Sequence, residues 1–261
     1  PLALLIGALL WRRKALYGKL NKVHQDIGHF KRDSQWHTPQ AILINILLAM
    51  PVALGLALCG LALQIDARVL DPRPDTETLV DWALEVLADW NAPRIVDLGT
   101  GSGAIALALQ RQRPDASVWA VDASADALAV ARDNAQRLGL NLQFAQGSWL
   151  RALAPDQQFD AIVTNPPYIC ADDPHLAALT HEPLCALASG ADGLDDIRAI
   201  IEQSPAHLAP GGWLLIEHGW DQAPAVQELL RGAGFGAVQS RNDLAGIARC
   251  TGGCMTDLNR Q

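Results

Sequence analysis

Four consecutive residues, Asn165-Pro166-Pro167-Tyr168, combine a side-chain amide, two prolines and a phenol ring. Asn165 precedes a proline, which biases its backbone toward an extended conformation. Pro166 and Pro167 lock their own φ angles and lack N–H donors. The segment is therefore a stiff turn that offers carbonyl acceptors and one amide side chain. A planar –NH2 group could donate one hydrogen to the Asn165 side-chain oxygen and the other to the Pro166 carbonyl. The Tyr168 ring would lie against its plane. Both acceptors draw electron density onto a nitrogen that otherwise shares its lone pair with a carbonyl or a ring. A poor nucleophile is thereby improved and aimed, and it can release its proton after it has attacked. Taken alone, the same four residues also read as no more than a rigid turn, so the surrounding elements decide.

The turn follows residues 159–164, a short apolar run that reads as a buried strand. A strand–helix alternation begins at Arg94. Strands are expected at 95–98, 117–121, 142–145, 159–164 and 213–217, with two more, antiparallel to each other, at 236–240 and 245–251. Helices are expected at 104–112, 126–138 (closed by Gly139), 195–208 (stopped by Pro210-Gly211-Gly212) and 223–232. Another helix, over 77–88, is capped by Asp75 or Thr76 and lined by Leu79, Ala83, Val86 and Leu87. Residues 60–70 read as a hairpin or paired strands. Such alternation implies an α/β fold with a largely parallel sheet covered on both faces.

Two further features belong at the carboxyl edge of that sheet. Gly99-Thr100-Gly101-Ser102-Gly103 follows the first strand and lets the chain turn tightly while a ligand approaches the backbone. Asp122 ends the second strand, 19 residues after Gly103, where a carboxylate can take both hydroxyls of a ribose. Dinucleotide enzymes and enzymes that use S-adenosylmethionine share this pairing. Glycines at 99, 101 and 103 do not make the G-x-G-x-x-G fingerprint, which weakens the dinucleotide reading. Ligands of α/β sheets sit at the carboxyl ends of the strands, so the glycine loop, Asp122 and Asn165 are expected to converge.

Composition narrows the partners. The 261-residue chain is half hydrophobic and carries a net charge of −8. Residues 1–40 hold seven Lys/Arg against Asp26 and Asp33, a local +5 that leaves −13 for the remainder. An acidic main body argues against broad binding to phosphate backbones, and no direct nucleic-acid partner is expected. Five cysteines (Cys59, Cys170, Cys185, Cys250 and Cys254) without framework spacing point to a reducing compartment. Cys170, His175, His181 and Cys185 match no usual zinc-finger spacing, and no metal is expected. Cys250 and Cys254 read as free thiols in a short tail. Glu217 and His218 could form an acid–base pair, but they follow a buried strand and are read as structural.

Residues 1–60 read as a small helical region. Residues 41–65 carry no charge, which is long enough for a membrane span. Pro51 interrupts the stretch, its end alternates with strand period, and its basic residues lie on the N-terminal side. The main body is expected in the cytoplasm and off the membrane, with residues 41–60 left open as a span.

These motifs together resemble the class I S-adenosylmethionine-dependent methyltransferases and, more closely, the peptide chain release factor glutamine methyltransferase family. The matching text is Arg73-Pro74-Asp75-Thr76-Glu77-Thr78-Leu79, Val96-Asp97-Leu98 with the glycine loop, Ala120-Val121-Asp122 and Gly147-Ser148-Trp149. It continues through Asn165-Pro166-Pro167-Tyr168-Ile169, Asp192-Gly193-Leu194-Asp195, Glu217-His218-Gly219 and Asp243-Leu244-Ala245-Gly246. The resemblance covers roughly residue 60 to the C-terminus. Residues 1–60 and Asp71 depart from the family pattern.

The resemblance implies a Rossmann-like, seven-stranded, mostly parallel sheet. It divides the chain into residues 1–60 (atypical N-terminal helical region), 61–76 (hairpin or linker) and 77–261 (methyltransferase domain). It implies that Gly99, Thr100, Gly101, Ser102, Gly103, Asp122, Trp149 and Asn165 hold S-adenosylmethionine, with Trp149 beside the adenine; without the family Trp149 would read as a core aromatic. It implies that Asn165, Pro166, Pro167 and Tyr168 bind the glutamine of a Gly-Gly-Gln loop in class I release factors, with Asn165, Pro166 and Tyr168 catalytic. Two rival substrates suit the same turn: a nucleic-acid amino group of the adenine N6 type, and a ribosomal-protein glutamine. A third reading is an impaired protein whose N-terminal region binds a membrane or a partner.

Overall fold

A computed structural model describes residues 61–73, 75–174, 176, 183–243 and 245–255, without the Cys185 side chain. The chain divides into two compact units: Pro1–Ala62 with Leu244–Ile247, and Leu63–Asp243 with Ala248–Gln261. The N-terminal region of residues 1–60 and its candidate span at 41–60 lie outside the described residues. So do His175, His181 and the Cys185 side chain of the zinc question. Among the described residues, no helix is long and apolar enough to cross a membrane.

The second unit is built in the order α1 (Thr76–Val86), β1 (Arg94–Leu98), α2 (Ala104–Gln112), β2 (Ser117–Asp122), α3 (Ala125–Leu138), β3 (Gln143–Gln146), β4 (Phe159–Thr164), α4 (Asp195–His207), β5 (Leu208–Glu217), α5 (Ala223–Gly232), β6 (Gly236–Asn242) and β7 (Ala248–Cys254). Its seven strands lie in the order β3-β2-β1-β4-β5-β7-β6. The first five pair in parallel, and β7 runs antiparallel between β5 and β6. The strand order reverses beside β1, between β2 and β4, so the loops after these three strands flank the switch point.

Continuous apolar runs explain the central strands. Val96, Leu98, Ile162, Leu214 and Ile216 form one buried cluster with Ile197, Ile200 and Ile201 of α4 and Val226 and Leu230 of α5. A strand buried on both faces needs no polar alternation. Helix α3 begins where the Ser124 hydroxyl accepts from Ala127 N at 3.2 Å, and it closes on Gly139 at φ 63°. Helix α1 starts at Asp75 without a side-chain cap and buries Leu79, Trp82, Ala83 and then Leu87, while Val86 stays half-buried. Trp82, absent from the expected apolar face, stacks at a tilt on Trp213 of β5, with centroids 6.1 Å apart.

Three expectations are corrected. Residues 61–73 hold no strand, so the hairpin is absent. The backbone groups of Gln64 are taken instead by the Asn134 side chain of α3, which accepts at 2.7 Å and donates at 3.0 Å. Strand β5 begins at Leu208, through Pro210, because Gly211 N donates to Met255 O and Gly212 O accepts from Met255 N, both at 2.8 Å. Cys250 and Cys254 belong to an interior strand rather than a tail, and both are free thiols.

The interior position of β7 explains Gly252. A Cβ there would lie 2.6 Å from Leu215 Cδ2, 2.8 Å from Leu214 O and 3.0 Å from the Trp82 ring. The carbonyl belongs to a paired strand and cannot give way. Gly252→Ala is expected to cost about 1–3 kcal/mol, read as a lower urea midpoint with an unchanged slope. A midpoint equal to wild type would contradict this packing.

Candidate active site

Strands β1 and β4 end level with each other. Leu98 pairs with Thr164, and the Thr164 hydroxyl donates to the Leu98 carbonyl at 2.8 Å. The next residues are Gly99 and Asn165, so the glycine loop and the proline turn leave the sheet side by side. Behind the loop lies Asp97, fully buried. Its Oδ2 accepts from the Thr100 hydroxyl at 2.7 Å and from Ala106 N at 3.2 Å, tying the loop to the start of α2. Its Oδ1 has no partner among the described residues. Burial, the largest cause, raises its pKa to about 7, and Asp122 adds to the rise.

The loop turns on glycines in the left-handed region, with φ of 68° at Gly99, 54° at Gly101 and 84° at Gly103. Gly101 N donates to Asp122 Oδ2, and Ser124 N to Asp122 Oδ1, both at 2.9 Å. The Asp122 carboxylate therefore clasps the two neighbouring loops. Each of its oxygens keeps a lone pair for a ligand hydroxyl. Trp149 is held at φ 52° and donates from its indole nitrogen to Asp196 Oδ1 at 3.2 Å. A Cβ on Gly99 would come within 3.2 Å of that indole, so only glycine leaves the ring and the loop this close.

Gly99, Gly101, Asp122, Trp149, Asn165 and Pro167 line one cavity of about 490 Å³. That size is ordinary for a small-molecule site. Thr100, Ser102 and Gly103 do not line it. Thr100 is committed to Asp97, Ser102 O accepts from Asn134 at 2.9 Å, and a Cβ on Gly103 would press on Leu107 and Ala131. The residues present suit a nucleoside carrying a ribose diol: an open glycine edge, a carboxylate with free lone pairs and a flat indole.

Asn165 also lines a second cavity of about 220 Å³, with Pro166, Pro167, Tyr168, Arg73, Asp75 and Arg249. Pro166 is buried, whereas Asn165, Pro167 and Tyr168 are half-buried. Ile169 N donates to Leu187 O and Ser189 N to Ile169 O, both at 2.9 Å, which fixes the chain leaving the turn. The Tyr168 carbonyl accepts from Gln222 Nε2 at 3.0 Å and lies where a side chain at Gly193 would go. Burial is the main cause that pushes the Tyr168 phenol up to about 12, so it stays neutral. Behind the turn, Asn165 Nδ2 donates to Thr76 Oγ1 at 3.4 Å. Burial, the largest cause, raises the Glu217 pKa to about 7, against the lowering effect of hydrogen bonding to Thr76 and Asn165.

The structure thus brings Gly99, Gly101, Asp122, Trp149 and Asn165 to one cavity, and Asn165 to Tyr168 to its neighbour. Sequence reasoning missed Arg68, Ser124 and Asp196 of the first cavity and Arg73 and Arg249 of the second. Ser124, two residues after Asp122, and Arg73, which opens the Arg73–Leu79 motif, were the two with a local signal. His218 makes no pair with Glu217: its Nε2 meets Thr251 Oγ1 at 2.7 Å, and burial lowers its pKa. Asp97 and Glu217 bind protons more tightly in the folded state than in the unfolded chain. Each therefore destabilises the fold as pH rises from the ordinary carboxylate range to about 7. Asp97→Asn is expected to flatten that decline, measured by denaturant titration at several pH values. An unchanged slope against pH would contradict the burial of an ionisable Asp97.

Comparison with known proteins gives two family matches. Residues 76–186 match the Methyltransferase small domain, and residues 1–80 match the Mechanosensitive ion channel inner membrane domain 1. The fold is shared with a methyltransferase from Pyrococcus furiosus, with TM-score 0.59, 17% identity and coverage of 78% of this chain and 93% of that one. It is also shared with the hMettl16 catalytic domain in complex with MAT2A 3'UTR hairpin 1, with TM-score 0.64, 16% identity and 81% of both chains. Similarity in sequence goes further. The release factor glutamine methyltransferase of Burkholderia pseudomallei is 50% identical over 202 residues, covering 74% of this chain and 71% of its own. That of Xylella fastidiosa (strain Temecula1) is 48% identical over 220 residues, covering 82% and 80%. That of Bordetella pertussis is 52% identical over 187 residues, covering 71% and 69%. With half of the aligned residues shared over more than two thirds of each relative, the chain belongs to the release factor glutamine methyltransferase family.

Proposed function

We propose that the chain methylates the side-chain nitrogen of the glutamine in the Gly-Gly-Gln loop of class I peptide chain release factors, in the cytoplasm, with S-adenosylmethionine as donor. The observation that carries this reading is the level ending of β1 and β4. It sets Asn165 beside Gly99, on the rim between a nucleoside-sized cavity and a smaller one. S-adenosylmethionine, when bound, supplies a methyl group on a sulfonium. Gly99, Gly101, Asp122 and Trp149 would hold its nucleoside, with Thr100, Ser102 and Gly103 shaping the loop from behind.

The substrate amide would enter the smaller cavity. Asn165 Oδ1 and the Pro166 carbonyl accept its two N–H groups, and Tyr168 covers its plane. Fixed acceptors of this kind cost no reorganisation as charge develops on the nitrogen. Held so, the amide nitrogen would take the methyl group that the donor supplies, the N–CH3 bond forming as the S–CH3 bond breaks, and would then give its extra proton to solvent. Placing the two reactants in line can supply roughly 7–11 kcal/mol of the barrier. The neutral Tyr168 phenol and the Asn165 amide supply no base, and none is needed. A nucleic-acid amino group would fit the same acceptors, but a charge of −13 outside residues 1–40 disfavours a polyanion. A ribosomal-protein glutamine is disfavoured by the identity of the relatives.

A second reading concerns the start of the chain alone. The match of residues 1–80 to a channel's inner membrane domain favours a membrane-associated segment there. Recovery of the full chain with the membrane fraction, released only by detergent, is the expected outcome. Recovery in the supernatant without detergent would contradict it.

The main reading is tested with tritiated cofactor and a purified release factor, with and without its loop glutamine. Label is expected only on the glutamine form. Asn165→Ala is expected to lose about 10²-fold or more in kcat while the cofactor Kd changes little. Near-normal turnover by that variant would refute the role given to Asn165.

A further inference from the structure

A buried relay stands directly behind the Asn165 turn. Glu217 ends β5, the strand beside β4, and is 1% exposed; Thr76 opens α1 and is 8% exposed. Asn165 Nδ2 donates to Thr76 Oγ1 at 3.4 Å. Thr164 pairs with Ile216, so the next residues, Asn165 and Glu217, leave adjacent strands side by side, and hydrogen bonding to Thr76 and Asn165 works against the burial of the Glu217 carboxylate. Glu217 Oε2 has no partner among the described residues. A carboxamide has two chemically opposite ends of nearly equal shape, and nothing in the proline backbone chooses between them. An ionised carboxylate only accepts hydrogen bonds, so it can be faced only by the –NH2 end. Oδ1 is then left for the cavities that Asn165 lines.

We propose that Glu217, acting with Thr76, is a positioning residue that locks the Asn165 carboxamide nitrogen-inward, so that Oδ1 is the acceptor offered to the substrate's –NH2 group. The inference rests on the reading of Asn165 as the acceptor of a substrate amide. Protonation of Glu217 reverses the selection. A neutral carboxyl donates through its O–H, draws Oδ1 inward and turns the –NH2 of Asn165 toward the –NH2 of the substrate. Two donors then face each other and the amide is no longer held.

The groups around Glu217 bear on when this happens. Burial raises its pKa to about 7; Thr76, Arg249 and Asn165 lower it, and Asp75 raises it. Arg249 of β7 lies 3.6 Å from Asp75 and 3.4 Å from Asp243, so its charge is shared among three carboxylates. Tyr168 and Cys250 are neutral throughout, because burial raises both. His218 is kept neutral by burial on the other side of the strand end. Methyl transfer is therefore expected to fall with acid below about pH 7, in the direction opposite to the effect of the same group on stability.

The experiment measures kcat, KM and cofactor Kd for the full chain and a purified release factor from about pH 6 to about pH 9. Wild-type kcat is expected to fall roughly tenfold per pH unit below the break, with cofactor Kd flat. Glu217→Gln can still accept from Asn165 and does not titrate. It is expected to retain measurable kcat and to lose the acid limb. Glu217→Ala is expected to lose about tenfold or more in kcat with little change in cofactor Kd. If Glu217→Ala does not fold, Glu217→Gln and Thr76→Val decide, the latter expected to lower kcat severalfold without moving cofactor Kd. An acid limb unchanged in Glu217→Gln, or wild-type kcat in folded Glu217→Ala, overturns the inference alone. A wild-type enzyme that labels no glutamine at any pH overturns the parent reading and the inference with it.

Discussion

The hydrogen bond from the Thr164 hydroxyl to the Leu98 carbonyl, inside a ladder that pairs those two residues, is the constraint on which the site depends. A strand shifted by one residue would turn every side chain of β4 to the opposite face. Asn165 would then leave the sheet on the wrong side of Gly99. Because Ile162 is packed in the core between α4 and the sheet, that shift would also bring apolar groups out of the cluster. Core packing and site geometry therefore demand the same register, and the site inherits its precision from the core.

Each half of the edge is backed by a buried carboxylate. Asp97 stands behind the glycine loop and Glu217 behind the proline turn, and each has one oxygen without a partner among the described residues. Buried acids of this kind cost stability. Both are raised to about 7. What they provide is orientation: Asp97 gathers a hydroxyl and a helix-start amide, and Glu217 gathers a hydroxyl and a carboxamide. Asp122, more open, does the corresponding work between the first two loops by accepting Gly101 N and Ser124 N. The carboxyl edge of the sheet is thus a row of acceptors that hold backbone and side-chain donors in place.

The sheet was legible because its strands are short apolar runs separated by glycine and proline punctuation, and six of the seven match to within three residues at each end, β5 alone starting earlier. Gly99 and Asn165 were legible because local backbone chemistry marks them. What the sequence hid came from long-range pairing. Residues 60–70 looked like a hairpin by alternation, yet a single buried amide, Asn134, takes the backbone groups a partner strand would use. Pro210 looked like a stop before β5, yet Leu208 ahead of it pairs with Phe159 and Gly211 and Gly212 after it pair with Met255. Asp196 and Arg249 carry no local mark of a site, because only the fold brings them to the cavities. Glu217 was noticed, but its place in the chain pointed to a structural role or a partnership with His218. Its contact with Asn165 is legible only once β5 is laid beside β4.

The central claim is that Asn165 presents a primary carboxamide, without a base, to a methyl group held across the glycine edge. A crystal structure of the chain with S-adenosylhomocysteine and a peptide carrying Gly-Gly-Gln tests it most directly. The account predicts the glutamine amide nitrogen within about 3 Å of both Asn165 Oδ1 and the Pro166 carbonyl, with the thioether sulfur facing it from the larger cavity. A glutamine held by other groups, or a sulfur that cannot face the amide nitrogen, would contradict it.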